Sequence, residues 1–178
     1  MADLRDRVTE DRGLLKKIQM AIPGYRGYRI REDLRIADSM LRLQIADRMR
    51  DEVLKPLEET REVCSRELEL DVMNDMAAVI SAAKTTEAKI RHAEQGYSGI
   101  SPAYRVADDE LNTLYEYDLS LLGGVDDLAG FAAESLSAAE SGDFAAVKAN
   151  AKKTRTAIND IQVQFGKRIE TMANLGAI

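Results

Sequence analysis

Apolar residues recur at intervals of three and four along most of this chain, which is the spacing of residues on one face of an α-helix. Only three prolines interrupt 178 residues, so the pattern can continue over many turns. Aromatic residues make up only 5% of the chain and tryptophan is absent, so aliphatic side chains must fill the core. The sequence therefore predicts an all-α protein, a single helical domain over residues 1–178 that forms an elongated bundle or antiparallel coiled coil.

The longest uninterrupted pattern covers about residues 30–95. Gly, Asn and Ser, which usually form turns, are absent between Arg48 and Ser65. We therefore predict a single helix that is bent at Pro56 and about 100 Å long; a reversal at Lys55–Pro56 is the alternative. Its second half shows a heptad seam with one four-residue insertion, formed by Leu57, Cys64, Leu68, Val72, Met76, Val79, Ala83 and Ile90.

The start of this long helix carries two apolar stripes rather than one. The first consists of Leu34, Ala37, Leu41 and Ile45, and the second of Ile36, Met40 and Leu43. A helix with two apolar stripes is expected to pack against more than one neighbour. Residues 1–29 precede it as a shorter helix, from about 3 to 21, followed by a loop rich in glycine and tyrosine.

The C-terminal part of the chain predicts a helical hairpin. One helix covers about residues 108–140, with Asp108 as its N-cap, and the other covers about residues 143–174. The short sequence Ser141-Gly142-Asp143 joins them as a turn. Residues 106–142 hold nine acidic and no basic residues, whereas residues 143–168 hold six basic and two acidic residues. This difference favours antiparallel packing of the two helices, with modest help from charge attraction; an acidic face that binds a partner is the alternative.

Composition excludes several classes of function. The net charge of −6 argues against nucleic-acid binding, and no segment is apolar enough to span a membrane or to serve as a signal peptide, so we expect a cytoplasmic protein. The only histidine, His92, and the only cysteine, Cys64, provide no paired metal ligands and no Cys-His nucleophile. We predict no metal, no cofactor and no catalytic residues, and we expect the protein not to be an enzyme.

Two loops between predicted helices contain the pattern Gly-Tyr-x-Gly. Loops on rigid scaffolds often bind ligands or partners, although aromatic residues can equally close the end of a bundle. The two loops would lie at one end of the molecule if the chain reverses at Pro56, and at opposite ends if the helix is continuous. The interaction residues predicted from them are Gly24, Tyr25, Arg26, Gly27, Tyr28, Gly96, Tyr97, Gly99 and Tyr104.

Asp118 occupies a seam position between Leu114 and Leu121, where an apolar residue is expected. A buried carboxylate is costly unless it is paired, so Asp118 should meet an Arg, Lys or Tyr on a neighbouring helix. It is a candidate for a functional carboxylate or for a residue that sets helix register. Close by, Gly123-Gly124 indicates a kink or a close helix crossing.

Two stretches resemble a group of prokaryotic all-helical proteins of no known function. They are Ile22-Pro-Gly-Tyr-Arg-Gly-Tyr-Arg29, and Gly96-Tyr-Ser-Gly99 together with Leu114-Tyr-Glu-Tyr-Asp-Leu119. The resemblance implies an all-helical fold and no particular activity, substrate or site.

These observations favour a non-enzymatic helical scaffold or interaction protein. A helix of about 100 Å would extend beyond the C-terminal hairpin, so we expect a second copy or another helical protein to cover it, most simply as a homodimer through residues 30–55. One alternative is a factor that contacts a membrane surface through the basic stretch Leu14–Arg35. A second alternative is a bundle that binds a small ligand near Asp118, Tyr97 and Tyr104.

Overall fold

The computed structural model describes the backbone of residues 4–22, 31–93 and 108–174, and the side chains of residues 13–22, 36–93 and 112–173. These residues form six α-helices and one π-helical segment, with no strand among them. The prediction of an all-α protein is confirmed. The α-helices are α1 (Leu4–Ala21), α2 (Arg31–Arg48), α3 (Lys55–Arg66), α4 (Leu70–Arg91), α5 (Asp108–Glu140) and α6 (Phe144–Asn174).

The chain passes through Pro56 without reversing because the helix widens just before it. The π-helical segment Met49–Leu54 joins α2 to α3, and the N–H of Lys55 donates to the carbonyl of Arg50, five residues back. Proline has no N–H to donate, and its ring crowds the carbonyl four residues earlier, so a wider turn accommodates it. The alternative of a reversal at Lys55–Pro56 is therefore wrong.

The single helix predicted over residues 30–95 is also wrong, because the chain reverses at residues 67–69. Leu68 has a φ of 61°. Its N–H donates to the carbonyl of Ser65 (3.3 Å), and the N–H of Glu69 donates to that of Cys64 (2.9 Å), which are the two bonds of a Schellman motif. Leu68 is 78% exposed instead of lying on the seam. Glycine usually occupies this left-handed position, so a leucine there leaves no turn signal in the sequence.

We expect Leu68→Gly to raise the free energy of unfolding by about 0.5–1 kcal/mol, because glycine adopts a positive φ without strain. Leu70→Gly is the matched control. Leu70 is also exposed but is the first residue of α4 and needs no positive φ, so glycine there should lower stability slightly, by up to about 0.5 kcal/mol. Urea unfolding followed by circular dichroism measures both. Equal destabilisation by the two substitutions would contradict the left-handed conformation of Leu68.

The helices form an up-down-up-down bundle. α4 lies antiparallel to α3, as the 2.6 Å ion pair between Lys84 and Glu58 shows, and α5 runs parallel to α2, with Arg48 reaching Asp126 at 2.7 Å. α6 returns antiparallel to α5 and packs against α4, while α1 packs against α5 as an additional helix.

Residues 31–66 span about 54 Å and α5 about 50 Å at 1.5 Å per residue. The predicted overhang of the long helix therefore does not exist.

Helices α5 and α6 pack against each other through faces on which residues are spaced by three, four or seven positions, which confirms the C-terminal hairpin. Their buried members are Leu114, Asp118, Leu121, Val125, Leu128 and Ala132 on α5, and Val147, Ala151, Ile158, Ile161, Phe165 and Met172 on α6.

Gly124 allows α5 and α6 to approach each other. A Cβ built at Gly124 would lie 3.0 Å from Cγ1 of Ile161, whereas one built at Gly123 would meet no atom within 4 Å. Helix α5 continues through both glycines. The close helix crossing, one of the two outcomes predicted for the glycine pair, is therefore provided by Gly124 alone.

We expect Gly123→Ala to stabilise the protein by up to about 1 kcal/mol, because alanine favours the helix and meets open space. Gly124→Ala gains the same helix propensity but must displace Ile161, so its unfolding free energy should fall about 1 kcal/mol or more below that of Gly123→Ala. Thermal and urea unfolding of the two variants provide the comparison. Equal stabilisation by both alanines would show that the crossing is not tight.

Over the part of the chain that the structure describes, none of the helices combines the length and the apolar character needed to span a bilayer.

Candidate functional site

A network of buried charges links three helices near one end of the bundle. Arg168 on α6 and Asp118 on α5 are both fully buried, and Nε of Arg168 donates to Oδ1 of Asp118 at 2.6 Å. Nη1 of Arg168 also donates to Oδ1 of Asp38 on α2 and contacts Sδ of Met172 at 2.9 Å. Asp118, predicted to pair with a residue on a neighbouring helix, thus lies in a cluster that reaches two further helices.

Arg42 extends this network to a fourth helix. Its Nε donates to Oδ2 of Asp38 at 2.8 Å, and its Nη1 donates to the carbonyls of Ile90 (3.4 Å) and Arg91 (3.2 Å) at the C-terminal end of α4. The last carbonyls of a helix lack partners within it and carry partial negative charge, so a guanidinium stabilises them. Arg42 thereby ties the end of α4 to α2.

Among the described side chains, the network holds two guanidinium groups and two carboxylates, whose formal charges balance. Arg42 and Asp38 are only 7% and 4% exposed. Buried charges are tolerated only when they are paired and hydrogen-bonded, and removal of one partner leaves an uncompensated charge. Both carboxylates accept hydrogen bonds from guanidinium groups, so neither is positioned as a free general base. The arrangement is suited to fixing the register of four helices rather than to chemistry.

Weaker ion pairs surround the network on the partly exposed surface. Arg91 donates to Glu87 at 2.6 Å and to Asp47 at 2.9 Å, and the hydrogen bond to Asp47, followed by that to Glu87, raises the pKa of Arg91. Arg48 bridges α2 and α5 by binding Asp126, and its pKa is raised chiefly by its hydrogen bond to Glu52. Exposed pairs of this kind contribute little stability, about 0–1 kcal/mol each.

The described helix ends that flank the two Gly-Tyr stretches include the start of α2 and the end of α4, and both lie at the network end of the bundle. The reversal at residues 67–69 brings the start of α2 next to the end of α4, as the bonds from Arg42 to the carbonyls of Ile90 and Arg91 show. Gly24, Tyr25, Arg26, Gly27, Tyr28, Gly96, Tyr97, Gly99 and Tyr104 themselves lie outside the described residues. Whether they form one interaction surface stays a prediction.

Cys64 occupies the seam position predicted from the sequence. Cys64 is fully buried on the seam, and burial raises the pKa of its thiol, which keeps it protonated and unreactive. His92 is exposed at the C-terminal end of α4. Within residues 4–22, 31–93 and 108–174, no three His, Cys, Asp or Glu side chains come together in a group that could hold a metal ion.

The outward face of α2 is a candidate interface. The described members of the first predicted stripe are buried: Ala37, Leu41 and Ile45 are at most 3% exposed. In the second stripe, Ile36 is 56% and Leu43 is 44% exposed, and Met40 between them is partly buried. These three residues, called the α2 stripe below, recur at positions i, i+4 and i+7 and thus share one helix face. The bundle therefore covers the described residues of the first stripe and leaves Ile36 and Leu43 of the second stripe exposed, while Met40 packs partly against the core.

A second candidate surface is a groove between α4 and α6 that sequence reasoning missed. Its lining includes Lys148, Lys152 and Arg155 from α6, with Asp75 from α4. The sequence showed that the helix is basic but predicted that its charges pair with α5. Among the described side chains, the ion pair between α5 and α6 is that of Asp118 and Arg168. Lys148, Lys152 and Arg155 line the groove beside α4, and Lys152 also borders a cavity beside Asp127 and Phe131 of α5.

Comparisons with protein-family models, with curated proteins and with solved structures found no match to this chain. The fold and the two surfaces define a helical bundle with a structural charge network inside and candidate contact surfaces outside.

Proposed function

We propose that this protein is a non-enzymatic, cytoplasmic helical interaction protein that forms a homodimer through the α2 stripe. The observation that carries the proposal is the exposure of Ile36 and Leu43 on a helix whose opposite face is fully packed. Exposed apolar side chains in a continuous row favour contact with another apolar surface, because burial removes them from water. The predicted overhang no longer supports self-association, so the proposal depends on this face alone.

A second copy is a suitable partner because the α2 stripe is chemically self-complementary. Its neighbours on α2 include Ser39 and Gln44, which are uncharged and partly buried. Pairing two copies of this face therefore opposes apolar residues without placing like charges at its centre. Towards one end of the stripe, Asp47 is already paired with Arg91 at 2.9 Å. Three side chains form only a small interface core, so we expect a weak dimer with a dissociation constant of about 1–100 μM.

Sedimentation velocity over a range of concentrations tests this proposal. The wild-type chain of 19.7 kDa should form species of at least twice that mass, and the double variant Ile36→Ser/Leu43→Ser should weaken association at least about tenfold, given the loss of two apolar anchors. The matched control is Met20→Ser/Val163→Ser, which removes two apolar residues that are 79% and 54% exposed elsewhere. Identical sedimentation of the wild type and the α2 variant would contradict the proposal.

A further inference from the structure

The turn between α3 and α4 exposes an alternation of acidic and apolar side chains. Glu67, Glu69 and Asp71 alternate with Leu68 and Leu70, and the two leucines are 78% and 59% exposed. Leu68 is also held at a positive φ, which is unfavourable for a residue with a branched side chain. The chain reversal requires a left-handed residue at this position, but glycine would adopt that conformation without strain, so the packing of the bundle does not require the exposed leucine side chain. The turn, called the leucine turn below, therefore has the character of a contact site.

The groove between α4 and α6 has complementary charge. Lys148, Lys152 and Arg155 outnumber its single carboxylate, Asp75, which approaches Lys148 only at 3.7 Å. Both members of that pair are about half exposed, so solvent screens their attraction. The groove thus retains a net positive charge that can attract an acidic segment.

The floor of the groove is apolar and small. It is lined by Ala78, Val79 and Ala151, and its volume is about 260 Å³. Small-molecule sites usually enclose about 300–1,000 Å³ and bury most of the ligand. This open groove is therefore better suited to one or two aliphatic side chains from another protein than to a cofactor.

We infer that the leucine turn of one copy docks into the basic groove of a second copy. The leucine side chains cover the alanine and valine floor, while Glu67 and Glu69 face the cations of the rim. The two surfaces match in both charge and polarity, which is the pattern of a specific contact. This contact is separate from the α2 stripe and does not depend on it.

The position of the two surfaces on one molecule allows the contact to form twice. Leu70, Asn74 and Ala78 recur at intervals of four along one face of α4, and Ala78 already lines the groove. The turn and the groove are thus about 12 Å apart along the helix axis. A two-fold axis between two antiparallel α4 helices places each turn in the opposite groove, giving a closed pair.

Charge reversal in the Ile36→Ser/Leu43→Ser background tests this contact alone. The background protein should still dimerise, and adding Lys148→Glu/Lys152→Glu/Arg155→Glu should weaken that dimer at least about tenfold, because both docked turns then meet like charges. The matched control, Lys55→Glu/Lys89→Glu/Lys167→Glu, carries the same net charge on exposed residues outside the groove and should leave the dimer intact. Circular dichroism confirms that each variant is folded.

Mixing a charge-reversed turn variant with the charge-reversed groove variant should restore the contact. Glu67→Lys/Glu69→Lys alone should also weaken the dimer, whereas an equimolar mixture with the groove variant should restore a heterodimer, because each turn then meets a groove of opposite charge. Sedimentation velocity with one labelled component detects it. Failure of the mixture to associate, or binding of the groove only to an unrelated acidic protein, would overturn the inference.

The experiments separate this inference from the proposed function. If the α2 variant is monomeric, the inference is wrong while the α2 dimer stands. If the α2 substitutions have no effect but groove reversal in the wild-type background dissociates the protein, the α2 dimer is wrong while the inference stands. If both contacts form, the wild type should exceed the mass of a dimer, and each single-interface variant should stop at a dimer.

Discussion

Replacement of Arg168 by methionine should lower the free energy of unfolding by about 3–5 kcal/mol, the largest effect expected of a single substitution in this protein. Arg168 is fully buried and donates to both Asp118 and Asp38. Methionine fills much of the same space but leaves one negative charge of the network without compensation. Because small domains are stable by only about 5–15 kcal/mol, the variant should be close to unfolding at 37 °C.

The matched control for this variant is Arg61→Met, on the exposed surface of α3. It makes the same chemical change and should alter stability by no more than about 0.5 kcal/mol. Urea unfolding with circular dichroism measures both free energies. A loss below about 1 kcal/mol for Arg168→Met would show that the network is solvated or dispensable.

Replacement of the whole network should recover most of that loss. The variant Asp38→Leu/Arg42→Met/Asp118→Leu/Arg168→Met removes all four charges of the described network together, and apolar replacements of buried ion pairs are often neutral or stabilising by about 1–4 kcal/mol. We therefore expect an unfolding free energy within about 1 kcal/mol of the wild type or above it. If the network sets register, the variant should instead lose structural uniqueness, seen as broadened amide resonances.

A quadruple variant as unstable as Arg168→Met would contradict this account of the energetics. It would mean that the charges stabilise the fold directly rather than specify the arrangement of the helices.

The sequence contains enough information to predict most of the helical packing. Apolar residues spaced by three and four positions mark one face of α5 and one of α6, and Leu121, Val125, Ile158 and Ile161 on these faces are all buried. Asp118 could be predicted to be a buried, paired carboxylate because it interrupts such a seam. Its partner could not be identified in the same way, because Arg168 resembles the other cations of a basic helix. Only the packing of the helices shows that Arg168 is the buried cation.

The chain reversal at residues 67–69 could not be predicted from residue types. Its Schellman motif places a leucine where glycine is usual, and the apolar spacing continues through it into α4. A heptad seam has the same local pattern whether the helix continues or folds back on itself. The sequence also could not show which stripe of α2 would be covered, because that depends on how many helices pack around it.

The most direct test of self-association through α2 is an intermolecular distance between spin labels, measured by double electron–electron resonance. A spin label at Ser39, next to the middle of the α2 stripe, in a Cys64→Ala background reports only on other copies. Packed helices lie about 8–10 Å apart, so the dimer predicts a defined label-to-label distance below about 30 Å. A label at the exposed residue Glu134 on α5 should give no defined label-to-label distance in the same range. A featureless decay from the Ser39 label at concentrations of about 100 μM would contradict the α2 dimer.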